Sequence, residues 1–525
     1  MRLVAKALVL ESRFLAESSS VLGSGLFASR SPGMTEQNRL ASDTETRPTM
    51  TTRISRADVV IAYDAEADDH VYRRDCDVVF DESGILHLGE GWDGPVDREI
   101  DGRGFMVMPG LVDIHSHPSS EPGNKGMTDE VGSPKLYNSS LYEFLWLFRA
   151  DTEGIPHLNH VAWSELLMSG VTTLVDLSFP SDGWLDRAAA SGLRMVMAPM
   201  YRNGRWFTRN GYTVEYELDD AAGRKAMEEA FRIIDTALAH ESGRLSGLAC
   251  PAQIDTCTEE LFRASIAGAA ERNIPIQTHA GQSISEFQEM VRRSGLSPIQ
   301  WLDSVGFLGP NASIAHAIFL DEHPWVRWPT RTDLARLAET DTSVAHCPTV
   351  FGRRGFTLRD LGRYLSAGVN IGIGTDTFPH NMLEELRHAG VYARITGESH
   401  AVVTTGQVFR AATLGGAKLL GRSDIGRLAT GAQADLVMVD LTHPMMRPTR
   451  DPLKSLINAA AERAVAHVFV AGRQVVQDGK VMTMDYQAAS AGLEEAQRRA
   501  LAKASSLDWA GRSVDELSPP SLRWT

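Results

Sequence analysis

The sequence predicts an α/β protein: a (β/α)₈ TIM-like barrel with a small β-sandwich domain formed from both ends of the chain. Three observations lead to this prediction. Short apolar runs recur eight times in the middle of the chain, amphipathic helical segments lie between them, and strand-like segments flank them on both sides. Strands and helices that alternate in this way are typical of a parallel barrel.

Residues 1–52 are predicted to form a disordered N-terminal extension outside the fold. The segment is rich in Ser and Ala and carries basic and acidic residues together. A transit peptide is one interpretation, since such segments are basic. We favour an upstream extension, with Met34 or Met50 as the natural first residue.

The flanks 53–108 and 422–485 are predicted to form one composite β-sandwich domain. Stretches such as CDVVFDESGILHLGE at one end, and VAHVFVAGRQVVQDGKVM at the other, are short apolar runs broken by Gly and Asp turns. Residues 486–525 are predicted to follow them as a C-terminal helical tail.

Residues 109–421 are predicted to form the barrel. Its eight strands are expected in MVMPGLVDIHSH, VTTLVDLS, LRMVMAPMY, LSGLACP, IPIQTHAG, ASIAHAI, TSVAHCP and VNIGIGTDT, which are rich in Val and Ile and bounded by Gly or Pro. The clearest intervening helix is DDAAGRKAMEEAFRIIDTALAH, with an Asp cap and Met227, Phe231, Ile234 and Leu238 on one face.

Two connections after barrel strands are long and aromatic. Trp146 lies in the first and Trp206 in the second. Loops that follow barrel strands line the active face, so both residues are candidates for substrate binding. Packing of the loops onto the barrel is the alternative for each.

Polar residues end five of the predicted strands. They are His115 and His117, then His279, His316, His346 and Asp376. Residues two apart in a strand point to the same side, so the first two imidazoles can converge on one ion. Strand ends form one ring at the C-terminal face of a barrel, and a cluster of His and Asp there indicates a metal site.

The motifs PGLVDIHSH, QTHAGQ, SIAHAIFLDEH, VAHCPT and IGIGTDT, followed by GRLATGAQADLVMVD, resemble those of the amidohydrolase superfamily, in its cytosine deaminase and triazine hydrolase branch. The resemblance spans residues 57 to about 485. It implies that His115, His117, His279 and Asp376 hold a divalent ion, that His316 polarises the scissile group, and that Asp376 takes a proton from the attacking water.

The resemblance also implies one ion rather than two. Binuclear members bridge their ions with a carboxylated Lys, usually at the end of strand 4, and no Lys occurs between Lys225 and Lys418. Zinc is the expected metal. Iron, cobalt and manganese stay open, because imidazole and carboxylate ligands accept them all.

Gln282 departs from the pattern of the deaminases, which commonly have Glu in the third position after the strand 5 histidine. Gln can form hydrogen bonds but cannot act as a general acid. Glu286, one helical turn later, is a candidate substitute, although we expect a solvated helix residue there. The difference favours an amide, urea, carbamate or similar C–N bond over an aromatic amine.

Three further residues have two interpretations each. His346 is a neighbour of the ligands or faces substrate, and His380 contacts substrate or caps the helix that follows it. Cys347 is a nucleophile or, as we expect, a small buried residue, because an activated water makes a second nucleophile unnecessary.

The leading prediction is a metal-dependent hydrolase that cleaves a non-peptide C–N bond of a small molecule with a metal-activated water. The first alternative is a deaminase or chlorohydrolase of an N-heterocycle such as cytosine, guanine or a triazine. A more remote alternative is a non-catalytic binding protein on a decayed barrel, which the intact set of metal ligands disfavours.

Composition excludes other classes. The net charge of −15 lacks the basic footprint of a nucleic-acid binder, and no run approaches the roughly 20 apolar residues of a membrane span. The four cysteines are scattered without a CxxC pair, which favours a reducing, cytoplasmic location. Neither a nucleic-acid nor a membrane partner is expected, and homo-oligomerisation is left open.

Overall fold

The strands of the protein, seen in a computed structural model that describes residues 50–525, begin at Thr52, at the end of the segment predicted to lie outside the fold. The extension predicted for residues 1–52 otherwise lies outside the described residues. In chain order the strands are β1 (Thr52–Ala57), β2 (Val59–Asp64), β3 (Asp69–Arg73), β4 (Cys76–Asp81), β5 (Gly84–Gly89), β6 (Arg98–Asp101), β7 (Phe105–Pro109), β8 (Leu111–Ser116), β9 (Val171–Asp176), β10 (Arg194–Met197), β11 (Met200–Tyr201), β12 (Gly204–Phe207), β13 (Glu215–Leu218), β14 (Leu245–Gly247), β15 (Cys250–Pro251), β16 (Ile276–Ala280), β17 (Ala312–His316), β18 (Ser343–His346), β19 (Ile371–Ile373), β20 (Leu436–Asp440), β21 (Val465–Val470), β22 (Arg473–Gln477) and β23 (Lys480–Val481).

Helices separate the strands of the middle region. The α-helices are Ile155–Met168, Trp184–Ser191, Asp220–Leu238, Glu259–Arg272, Ile284–Ser294, Pro298–Ser304, Asp333–Glu339, Pro348–Gly352, Leu361–Ser366, Met382–Thr396, Thr405–Arg410, Gly416–Leu419, Pro452–Ser455, Tyr486–Leu507 and Val514–Leu517. Within the part of the chain that the structure describes, no helix combines the length and apolar character that a membrane crossing requires.

The eight predicted barrel strands are all present, as β8, β9, β10, β14 and β16 to β19. They form two parallel four-stranded sheets, in the orders β14-β10-β9-β8 and β16-β17-β18-β19. Single parallel bridges, Ser116 to Asp376 and Ala249 to Ile276, connect the two sheets at both ends. The fold is therefore α/β and TIM-barrel-like.

Apolar side chains from strands of both sheets pack together. Val112, Val175, Val196, Leu248 and Ala315 belong to one buried cluster. Because side chains alternate between the two faces of a strand, the residues between them point to the surrounding helices. Polar side chains lie at the ends of the strands.

The helix Asp220–Leu238 begins where the sequence predicts, because the Asp219 side chain accepts a hydrogen bond from the Ala222 amide. Phe231 and Ile234 are buried against the strands, as expected. Leu238 is instead 46% exposed, because it is the last residue of the helix.

Strands from both flanks share one sheet. The seven-stranded sheet has the order β23-β22-β21-β20-β7-β2-β3, with β20 antiparallel to β7. A four-stranded sheet, β5-β4-β1-β6, lies on the same apolar cluster, to which Ile54 and Phe80 contribute from one sheet and Val107 and Phe469 from the other.

The C-terminal segment contains the helices Tyr486–Leu507 and Val514–Leu517 and packs on the connection after β8. Ala489 and Leu493 of the helix Tyr486–Leu507 pack against Leu158 and Val161. Beyond that helix, Arg512 pairs with Glu143 of the connection at 2.7 Å.

Candidate metal centre and active site

The six polar residues predicted at strand ends lie at one end of β8 and β16 to β19, where His117 is partly exposed and the other five are buried. His115 and Asp376 come together because the Asp376 amide donates to the His115 carbonyl oxygen at 2.8 Å. Asp376 and His316 both have positive φ angles, 58° and 82°. Backbone of this kind is strained in residues other than Gly and clusters at functional sites.

Three histidines are oriented by acceptors at Nδ1. His115 Nδ1 donates to Gln277 Oε1 at 2.6 Å, His117 Nδ1 to the Leu177 carbonyl at 2.8 Å, and His279 Nδ1 to the Ala252 carbonyl at 2.6 Å. Because a neutral imidazole carries one proton, these bonds leave the lone pair on Nε2.

The Nε2 atoms converge. His117 Nε2 lies 3.3 Å from His279 Nε2 and 3.3 Å from Asp376 Oδ1, and His115 Nε2 lies 3.8 Å from the same carboxylate oxygen. Among residues 50–525, His115 Nε2 is buried without a hydrogen-bond partner. Lone pairs gathered around one point, one of them otherwise unsatisfied, fit a divalent ion.

The electrostatics favour metal binding. Burial lowers the pKa of His117 to about 4 and, with the nearby His117, that of His279 to about 3. Burial and the neighbouring histidines hold the pKa of His115 well below its usual value. All three rings are therefore neutral at pH 7, the form that binds metal.

Asp376 carries an unfavourable negative charge in this cluster. Burial, then Glu121 and Asp113, raise its pKa well above the usual value. A divalent cation would offset that cost. His316 Nε2 lies 3.8 Å from Asp376 Oδ2, so His316 stands beside the proposed ligands.

Sequence reasoning missed two buried carboxyl groups near the ligands. Asp113 accepts from the His115 amide and from the Thr375 hydroxyl at 2.7 Å, and its position two residues before His115 could have indicated it. Glu121 is 7% exposed and accepts from Asn124. It begins a short 3₁₀ helix, Glu121–Asn124, that is too short to show a periodicity in the sequence.

Glu286 is not a solvated helix residue, and that prediction is wrong. It is fully buried, and its Oε1 accepts from the Gly281 amide at 2.6 Å. The helix Ile284–Ser294 turns this side chain toward the turn that carries Gln282, which is itself 3% exposed. The polar sequence of this helix predicts exposure, yet the helix carries a buried carboxyl group at the turn after β16.

His346 and Cys347 are buried at the end of β18. Burial lowers the pKa of His346 to about 3. The Cys347 Sγ, His115, His316 and Asp376 offer ligand atoms within 4.8 Å of one another. Burial and Asp376 raise the pKa of the Cys347 thiol well above its usual value, which favours the interpretation as a small buried residue over that as a nucleophile.

His380 does not cap the helix Met382–Thr396; Asn381 does, by accepting from the Glu384 amide at 3.2 Å. The His380 ring is buried, and neither ring nitrogen forms a hydrogen bond with the described part of the chain. Its Nδ1 lies 3.9 Å from Glu165.

The two tryptophans have different surroundings. Trp206 lies on β12, 5.3 Å from the ring of Tyr142, whose hydroxyl is 2.6 Å from Ser283 Oγ beside Gln282. Trp146 packs with Phe144 against Leu517 of the C-terminal segment. Trp206 is therefore connected to the site, and Trp146 packs toward the tail.

A TIM-barrel-like fold that gathers neutral histidines and an aspartate at its strand ends defines a metal-dependent hydrolase. The chain belongs to the amidohydrolase family, whose sequence profile matches residues 106–475. It is accordingly a hydrolase of C–N bonds, as the sequence predicts.

Known proteins resemble the chain over most of its length. It is 31% identical to a 5-methylthioadenosine/S-adenosylhomocysteine deaminase of Natronomonas pharaonis, over 81% of this chain and 94% of that protein. It is 30% identical to an 8-oxoguanine deaminase of Pseudomonas aeruginosa, over 77% and 89%.

Solved structures share the fold. An adenosine deaminase of Xanthomonas campestris with bound zinc has a TM-score of 0.72 at 23% identity, covering 86% of this chain and 98% of that one. A zinc complex of an atrazine chlorohydrolase from Arthrobacter aurescens has a TM-score of 0.71 at 22% identity, covering 85% and 100%.

Proposed function

We propose that the protein is a deaminase that hydrolyses the exocyclic amino group of a purine-type heterocycle and releases ammonia. The observation that carries the proposal is the convergence of three neutral imidazoles on Asp376, together with a buried carboxyl group, Glu286, that accepts from the Gly281 amide in the turn after His279. Similarity to deaminases of adenosine derivatives and of 8-oxoguanine supports the choice of substrate class.

His115, His117, His279 and Asp376 would hold one divalent ion, for which zinc is our first choice. The orphaned Nε2 of His115 and the engaged Nδ1 atoms support this assignment. When bound, such an ion makes hydroxide available at neutral pH by lowering the pKa of water to about 7.

The residues of the chain would then control protons. Asp376 would accept the proton released from the attacking water and hand it to the leaving amino group. His316, 3.8 Å from Asp376, would polarise the carbon under attack, and the Gln282 amide would form a hydrogen bond with a ring nitrogen of the substrate.

The substrate pocket would include His346, His380, Trp146 and Trp206. The ring nitrogens of His380, which form no hydrogen bond within residues 50–525, support a polar contact. The contact between Trp206 and Tyr142 supports an aromatic wall, while Trp146 is supported only by its position in the connection after β8.

The finer architecture is also a proposal. The two bridges between the parallel sheets support closure into a (β/α)₈ barrel over residues 109–421. The apolar cluster shared by the two other sheets supports a β-sandwich made of 53–108 and 422–485. Four buried cysteines, none joined in a disulfide, support a cytoplasmic location. The protein would act on a small molecule without a nucleic-acid or membrane partner, and homo-oligomerisation stays open.

The test is release of ammonia by the zinc-loaded protein. We expect turnover of 5-methylthioadenosine, 5′-deoxyadenosine or 8-oxoguanine, and none by a His117→Ala variant that has lost zinc by elemental analysis. A second candidate, hydrolysis of an amide or urea, is favoured by Gln282, because such bonds need no ring protonation. Turnover of amides or ureas with no ammonia from the purines would replace the first proposal with the second.

A further inference from the structure

Two overlapping groups of possible metal ligands meet at the ends of the strands, and in each group the ligand atoms lie within 4.8 Å of one another. The first is the three-histidine group described above, which consists of His115, His117 and His279. The second, which we call the thiol group, is fully buried and consists of His115, His316, Cys347 and Asp376. The proposed function gives the sulfur atom of the thiol group no role.

Three neighbouring strands supply most of the thiol group. His316 ends β17, Cys347 directly follows β18 and Asp376 follows β19, and these strands are adjacent in their sheet. In the three-histidine group, His117 follows β8 and His279 lies on β16. Because the ends of barrel strands meet at one face, the two groups lie close together although they come largely from different strands.

Asp376 faces both groups, with one carboxylate oxygen toward each. Its Oδ1 lies 3.3 Å from His117 Nε2 and 3.8 Å from His115 Nε2, and its Oδ2 lies 3.8 Å from His316 Nε2. His115 Nδ1 is engaged by Gln277, so His115 has one lone pair, on Nε2, for either group. Since one lone pair binds one ion, an ion held by one group excludes an ion from the other.

The side chains that distinguish the thiol group can both reach an ion. Cys347 is 1% exposed and is not joined in a disulfide. His316 Nδ1 is buried without a hydrogen-bond partner within residues 50–525, so no contact there fixes the tautomer and Nε2 can offer its lone pair. The Phe351 ring packs against His316 in a T-shaped arrangement, with 4.6 Å between the ring centroids, and limits the rotation of the imidazole.

The two groups differ in the ion that they favour. A thiolate selects soft ions, whereas imidazole and carboxylate accept many first-row divalent ions. Zinc accepts imidazole and thiolate alike, and the three-histidine group binds it without displacing a thiol proton. We propose that Cys347, with His316 and Asp376, forms an alternative position for a single soft divalent ion such as cadmium, while zinc stays with the three-histidine group. The inference goes beyond the proposed function, because it assigns a second position that the proposed reaction does not use.

Binding of a soft ion by the thiol group balances in atoms and charge. The S–H bond of Cys347 breaks, a bond between sulfur and the ion forms, and the proton leaves to the buffer. The ion keeps its oxidation state, so no oxidant or reductant takes part. A soft ion there would engage Asp376 and His316, which the proposed function uses for proton transfer and polarisation, and would therefore stop turnover.

The first experiment adds cadmium to the metal-free full-length protein and measures the ultraviolet charge-transfer absorption of a cadmium–thiolate bond. We expect this absorption in the wild type and in His117→Ala, because His117 belongs only to the three-histidine group. We expect none in Cys347→Ser. Absence of the absorption from the wild type, or its persistence in Cys347→Ser, would overturn the proposal.

Two controls separate the loss of a ligand from damage to the fold. Cys76→Ser changes another buried cysteine, on β4, and Ser can keep the hydrogen bond that Cys76 Sγ donates to the Asp77 carbonyl at 3.5 Å; its cadmium absorption should equal that of the wild type. Cys347→Ser should still bind one zinc ion per chain by elemental analysis. If both Cys347→Ser and Cys347→Ala lose zinc, Cys347 supports the three-histidine group, and the separation of the two positions is wrong.

Competition tests whether the two positions exclude each other. Cadmium added to the zinc-loaded wild type should release zinc one for one, as measured with a chromogenic zinc indicator. Loss of a group that only orients a ligand weakens metal affinity about 10–100-fold, so loss of Cys347 itself should raise the cadmium concentration for half release at least about tenfold. Retention of one zinc and one cadmium ion per chain would refute the exclusion.

These measurements need no substrate, so their outcome is separate from that of the proposed function. If the zinc-loaded protein releases no ammonia from the purines, the proposed deamination fails, and the cadmium absorption still decides the role of Cys347. If it does release ammonia, cadmium should inhibit the wild type at a concentration at least about tenfold below that needed for Cys347→Ser. Equal inhibition of the two proteins would show that the thiol group does not block turnover.

Discussion

Gln277 fixes the tautomer of His115, and its removal should weaken metal binding. Its Oε1 accepts from His115 Nδ1 at 2.6 Å, while its Nε2 donates to Ser313 Oγ at 3.0 Å. Both Gln277 and His115 are fully buried. In Gln277→Leu, the Nδ1 proton loses its acceptor, and the ring can instead place its proton on Nε2, the atom that faces the proposed ion.

The magnitude follows from these contacts. A buried donor without a partner costs about 1–3 kcal/mol, and loss of the group that orients a metal-binding histidine typically weakens affinity about 10–100-fold. Those two ranges agree, because tenfold in affinity is about 1.4 kcal/mol. We therefore expect zinc affinity to fall 10–100-fold in Gln277→Leu.

The assay is competition for zinc between the metal-free protein and a chelator at pH 7. Two variants serve as controls. Gln277→Glu keeps an acceptor for His115 Nδ1, and Ser313→Ala removes only the acceptor that Ser313 Oγ offers to Gln277 Nε2. Both should bind zinc within about threefold of wild type. Equal zinc affinity in wild type and Gln277→Leu would refute the assigned role of Gln277, and equal losses in all three variants would indicate general damage to the core.

Three further predictions follow. A chelator should abolish activity and added zinc restore it, while circular dichroism stays unchanged because the apolar clusters do not depend on the ion; unfolding on chelation would contradict this. Burial lowers the pKa of His70 to about 4, so the folded protein disfavours protonation of this ring, and up to about 3 kcal/mol of the free energy of unfolding is lost as pH falls from 6.5 toward 4. In chemical denaturation, His70→Phe should reduce this dependence of stability on pH. An unchanged pH dependence would contradict the assignment to His70. Arg512→Ala removes the partner of Glu143 and Asp508 and should cost about 1–3 kcal/mol in denaturation, whereas a loss below about 0.5 kcal/mol would show that the tail is held by apolar contacts alone.

The barrel strands could be predicted because each is a short apolar run with a polar residue at its end. The rule that places such ends on one face then brought His115, His279 and Asp376 together without coordinates. The hydrogen-bonding partners of the histidines could not be predicted in the same way. Leu177 and Ala252 act through backbone carbonyls, which carry no signal of residue type.

The prediction for Glu286 failed for a related reason. A carboxylate on a polar helix is usually solvated, and groups that interact with this one electrostatically come from distant segments: Asp255 follows β15 and Tyr142 follows β8. The periodicity of the helix alone contains no information about those segments. The Gln at position 282 was the one local signal that an acid had to be sought elsewhere.

The C-terminal tail bears on the same site through the connection after β8. Gln497 donates to the carbonyls of Gly123 and Lys125, and Ser518 to that of Met127, so the tail replaces backbone pairing that this largely irregular segment does not make for itself. The segment also presents Tyr142 to Ser283. The position of that hydroxyl therefore depends on residues near the end of the chain as well as on the strands that carry the metal ligands.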